Sequence, residues 1–149
     1  MKLLITYTEL QTLISQKTGK EIRLQKAEGD NTVKVTYIVR IDMPIIGKVS
    51  KDIEGEIKIN GIQNMTLDFS YSLPMGLDLA AKGVKTFLGE QIESSQVMKW
   101  GEKENQVFLF VDKLAEKLHV NNVEKMKQYI QLTDLQAVKE GLEVWVDLI

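Results

Sequence analysis

The chain has 149 residues, 44% of them hydrophobic and 27% charged, which suits one domain burying about 70% of the surface its unfolded form exposes and excludes a disordered or low-complexity class. Its net charge is −2, and among 19 basic residues only Arg23 and Arg40 are arginine, so the forked donors that grip phosphates and base edges are scarce and no nucleic-acid partner is expected. The sequence contains no cysteine, which excludes disulfides, thiol catalysis and zinc ribbons.

Met1-Lys2 is followed by three apolar residues, Leu3 to Ile5, too few for the core of a signal peptide. No window approaches the roughly 18 apolar residues of a membrane span, so the expectation is a soluble, cytoplasmic protein, or an exported one if a native signal sequence precedes these residues. Thr6 and Glu9 then have the spacing of a capping box, with Ile5 and Leu10 at the staple positions. Leu10, Leu13 and Ile14 mark one face of a short amphipathic helix, and Lys17-Thr18-Gly19 supplies its stop.

Strand patterns follow. Ile22 and Leu24 lead to a turn at Glu28-Gly29-Asp30-Asn31. Val33, Val35, Tyr37, Val39, Ile41 and Met43 then alternate with Lys34, Thr36, Arg40 and Asp42, and Ile38 is the apolar exception on the second face. Pro44-Ile45-Ile46-Gly47 breaks the run, and a returning strand carries Ile53, Ile57 and Ile59 to a break at Asn60-Gly61. Met65, Leu67, Phe69, Tyr71 and Leu73 alternate in turn with Thr66, Asp68, Ser70 and Ser72. Three long strands joined by short turns predict an antiparallel meander with one dry face and one wet face.

After Pro74-Met75-Gly76, residues Leu77, Ala80, Ala81, Val84, Phe87, Leu88 and Ile92 fall at helical spacing, which predicts a helix of about 16 residues with a wide apolar face. A one-sided sheet needs a cover, and this helix is the expected one. Gln96 to Trp100 and Gln106 to Val111 read as a hairpin whose second strand is apolar on both faces, and Asp112 as the cap of a short helix. Tyr129 to Val138 and Leu142 to Leu148 read as a closing pair of strands around Gly141.

Catalytic motifs are sparse. His119 is the single histidine, which excludes a two-histidine metal site and the HExxH helix. Asp42, Asp52, Glu54, Glu56 and Asp68 fall where alternation places a solvated face, and they match no calcium loop. No G-x-S-x-G elbow, dinucleotide fingerprint or phosphate loop is present. The expectation is a protein that is not an enzyme and takes no cofactor or metal.

In element order the chain resembles the tubular lipid-binding superfamily, in particular its small bacterial lipoprotein-like members. The features that carry this are Thr6-Tyr7-Thr8-Glu9-Leu10, the turn Ile41-Asp42-Met43-Pro44-Ile45-Ile46-Gly47, the helix from Gly76, and the closing Gly141-Leu142-Glu143-Val144-Trp145-Val146. The resemblance implies binding of a lipid or another apolar small molecule between helix and sheet.

The expected fold is therefore a single α+β domain, residues 1–149, in which a curved antiparallel sheet wraps a long central helix and a short helix precedes it. Tyr37, Val39, Ile41, Phe69, Tyr71, Val84, Phe87 and Leu88 are the expected ligand-binding residues, with Ile45, Ile46 and Met75 as an apolar lip that suits peripheral membrane contact. The alternative is a structural or protein-interaction module with a filled core and no ligand.

Overall fold

Residues 1–72 and 96–149 are described in the computed structural model. Leu3, Leu4 and Ile5 belong to a strand, β1 (Lys2–Thr6), which runs straight into α1 (Tyr7–Thr18). The helix begins and ends as its residues dictate. The Thr6 hydroxyl accepts the Glu9 N–H at 3.1 Å. Gly19 takes φ 70° and its N–H donates to the Ser15 carbonyl at 2.9 Å, so the last turn closes on a residue without a Cβ penalty.

A large antiparallel sheet follows, built from β2 (Glu21–Lys26), β3 (Thr32–Met43), β4 (Gly47–Gln63), β5 (Thr66–Ser72), β6 (Met98–Trp100) and β7 (Gln106–Phe110), in the order β2-β3-β4-β5-β7-β6. Two short helices come next, α2 (Val111–Lys117) and α3 (Val123–Met126). The chain closes with β8 (Ile130–Ala137) and β9 (Gly141–Leu148), which join β1 in a separate three-stranded sheet of order β1-β9-β8.

This architecture overturns the expected one. The described chain is mainly strand in two antiparallel sheets, not one curved sheet wrapped around a long helix, and the longest helix among the described residues is α1, at 12 residues. The helix expected between Leu77 and Ile92 lies outside the described residues, as do Met75, Val84, Phe87 and Leu88. The N-terminal residues and the closing strands take over the covering role at one end of the large sheet: Tyr7, Leu135 and Ala137 are buried with Val33 and Ile59 of that sheet. Alternation identified the strands but not their partners, because strands pair through backbone edges that carry no side-chain pattern, and any strand of the same period can take either edge.

Two local signals also resolve differently. Asn60-Gly61 is not a turn. β4 continues to Gln63, the register slips by one residue between Ile59 and Gly61, and the reversal is made at Asn64 and Met65, both left-handed with φ 52° and 61°. Asp112 does not cap α2, since Phe110 holds that position. Its carboxylate instead accepts from Lys127 Nζ at 2.7 Å. Burial would push this carboxyl up, but the Lys127 hydrogen bond and nearby backbone N–H groups outweigh it and hold the group below its ordinary value.

The sheets are joined at the β2–β3 turn. Asn31, left-handed at φ 51°, accepts the Ile59 N–H on its carbonyl at 2.8 Å and the Ala137 N–H on its side-chain oxygen at 3.2 Å, linking β4 to β8. At the edge of the large sheet, Gln11 Oε1 of α1 accepts the Leu24 N–H at 2.7 Å, so the helix satisfies part of an edge strand that would otherwise be open.

Gly141 shows how closely the strands approach. It pairs with Thr6, and a Cβ there would collide with the Ile5 carbonyl oxygen and lie 2.7 Å from the Thr6 Cα. Gly141→Ala should destabilise the fold by roughly 1–3 kcal/mol, as overpacking against backbone does. Gly61→Ala, whose Cβ would meet open space, should cost much less. Urea unfolding of the two variants checks the difference.

Candidate functional site

Strand register places one apolar series on a single face of the large sheet. Leu24 lies opposite Val35, Val33 opposite Ile57, Ile59 opposite Phe69, and Leu67 opposite Leu109. Because successive residues alternate faces, these pairs form a continuous apolar surface across five strands. Tyr7, Leu10 and Ile14 of α1 approach it from one side, and Leu135 and Leu142 of the small sheet from another. Between them is a cleft of about 270 Å³.

All side chains lining the cleft are apolar except Tyr7, and the Tyr7 hydroxyl already donates to the Val138 carbonyl at 2.6 Å. The cleft therefore presents packing surface without directional polar groups. A second hollow of about 190 Å³ shares Val35 and Ile57 with it and lies further along the sheet, beside Tyr37, Ile53 and Tyr71, with Glu54, Glu56 and Ser72 also in its lining. Together they reach the lower part of the range of about 300–1,000 Å³ typical of small-ligand sites.

Of the residues anticipated from sequence, Phe69 lines the cleft, and Tyr37 and Tyr71 line the second hollow. The Tyr71 ring also meets that of Trp100 at 6.1 Å between centroids, tilted by 55°. Val39 and Ile41 occupy β3 positions paired with Lys51 and Val49, further along the β3–β4 hairpin. Val84, Phe87, Leu88 and Met75 lie outside the described residues.

Phe69 is the one cleft residue that the sequence singled out; the other large-sheet residues, and Tyr7, Leu10, Ile14, Leu135 and Leu142 of α1 and the small sheet, were not. Their apolar periodicity is visible in the sequence, but their convergence depends on β1 pairing with β9. Ile45 and Ile46 stand apart at the tip of the hairpin, 98% and 74% exposed, where the β3–β4 ribbon extends beyond the last pairs that β2 and β5 make with it.

Among the described residues no group of three or more histidine, aspartate or glutamate side chains is placed to hold a metal ion. None of the described helices is long and apolar enough to cross a membrane. No family model, curated protein or solved structure matches the chain.

Tyr7 gives this end of the cleft a measurable pH dependence. Burial, and then the nearby Glu140 carboxylate, push its phenol above the ordinary value of 10.0. A raised folded-state value contributes stability that is full below the unfolded value and is lost as pH rises through the folded one. Tyr7→Phe should therefore flatten the decline in stability above about pH 10. At neutral pH it should cost about 1 kcal/mol, through the lost bond to Val138. Thermal unfolding between pH 7 and 11 checks both effects.

Proposed function

We propose that this protein binds a lipid or another apolar small molecule without chemical turnover. The ligand would lie in the cleft between α1, the large sheet and the β8–β9 hairpin. The observation that carries this reading is the apolar lining of the cleft, whose one polar side chain is already bonded within the protein. An apolar chain placed there exchanges hydration for dispersion contacts and demands no hydrogen-bonding partner. The second hollow, beside Tyr37 and Tyr71, shares Val35 and Ile57 with the cleft and offers such a chain further apolar surface.

Native mass spectrometry and solvent extraction of the purified protein, followed by titration with palmitate, test the proposal. Bound lipid or saturable palmitate binding is expected. Leu109→Trp, which fills the cleft from β7, should weaken palmitate at least tenfold while the circular dichroism spectrum is kept. Absence of both extracted lipid and palmitate binding would sink the idea.

The exposed hairpin tip favours a second reading, a module that associates with a protein partner or with itself. Two largely exposed isoleucines on a projecting ribbon present apolar surface to their surroundings. The double variant Ile45→Asp, Ile46→Asp should abolish association in light scattering without changing the unfolding midpoint. Unchanged association would count against this reading.

A further inference from the structure

The opposite face of the large sheet carries a polar hollow of about 450 Å³ beside the β4 irregularity. We propose that it is a binding site for a sugar ring, independent of the apolar cleft. It begins with the slip in register between Ile59 and Gly61, which leaves Asn60 outside the β4–β5 pairing. A bulge of this kind re-aims a side chain. Asn60 Nδ2 donates to Asp68 Oδ1 at 3.1 Å and to Ser70 Oγ at 2.9 Å.

The Asp68 carboxylate is held from its other side by Gln106, whose Nε2 lies 3.0 Å from each of its oxygens. Gln106 is only 8% exposed, and its own Oε1 accepts the Lys103 N–H at 3.2 Å. Gly101 makes room for it, since a Cβ there would lie 2.6 Å from Gln106 Cγ and Cδ. The carboxylate is thus oriented before any ligand arrives, and with three of its roughly four acceptor positions engaged it retains one for an incoming hydroxyl.

Phe108 stands directly across the β5–β7 pairing from Asp68 and also lines the hollow, with Lys99 Nζ 5.5 Å from its ring centroid. Gln63 and Asn64 add amides at the rim, and Gly61 leaves the floor open, with nothing within 4 Å of where its Cβ would be. A fixed carboxylate and planar amides can bond to hydroxyls on adjacent ring carbons, while an aromatic face takes the C–H side of the ring. This combination fits a polyhydroxylated ring better than an apolar chain, which would cover the carboxylate's remaining acceptor position without giving it a partner.

The test uses the full chain. Native gels cast with dextran, xylan, galactomannan or β-glucan report retardation, and ¹H–¹⁵N spectra titrated with glucose, galactose, mannose and N-acetylglucosamine map the contact. At least one sugar should retard the protein or shift the Asn60, Asp68 and Phe108 amides. Asp68→Asn and Phe108→Ala should each weaken that binding tenfold or more, with Asn60→Ala used if either variant loses its circular dichroism spectrum. Gly101→Ala should weaken it through Gln106, whereas Glu54→Gln should leave it unchanged. No response to any of these sugars would overturn the proposal, as would shifts confined to the apolar cleft or full binding by Asp68→Asn.

Discussion

The fold depends on a junction where two sheets that are remote in sequence are fastened together. Tyr7 is buried at its centre: its hydroxyl reaches the Val138 carbonyl, and its backbone N–H donates to the Glu140 carbonyl at 3.2 Å. Asn31 ties the same region from the other side by accepting from Ile59 and Ala137. These bonds close the polar ends of strands around Val33, Ile59, Leu135 and Ala137, a core that could not form if β4 and β8 were held apart.

The apolar cleft follows from this junction. The large sheet supplies a flat apolar face by alternation alone, but a face is not a site. It becomes concave because α1 is anchored at one end by β1, which pairs with β9, and at the sheet edge by the Gln11 bond to Leu24. Leu10 and Ile14 on the helix and Leu135 and Leu142 on the small sheet then form walls around the strand residues. On the reverse face, the same alternation leaves Asp68 to be held by Gln106 and Asn60, so each strand serves two chemically different surfaces.

The sequence was most legible where the signal is local. The Thr6 and Glu9 capping pair, the Gly19 stop and the alternation of Val33, Val35 and Tyr37 each act within a few residues, and the structure holds them as expected. It was least legible where a local signal had two uses. Asn60-Gly61 has the composition of a hairpin turn, yet the strand passes through it as a bulge, and the turn falls on Asn64 and Met65. Asp112 has the composition of a cap, yet it bonds to Lys127. A long central helix was expected because a one-sided sheet needs a cover, and the described residues provide cover at one end of the sheet through α1 and the small sheet.

The sequence by itself marked the segments that become β2 to β9 and where α1 begins and ends, but not β1. Of the residues it suggested for binding, the structure sets Tyr37, Phe69 and Tyr71 beside the two apolar hollows. Side-chain period and capping chemistry are properties of neighbouring residues. Only the tertiary structure decided that β1 pairs with β9, that the strands divide into two sheets, and that Gln106 orients Asp68. Those outcomes join residues far apart in the chain, 131 positions for Tyr7 and Val138 and 106 for Asn31 and Ala137. Their pairing depends on how whole faces pack, which no local pattern encodes.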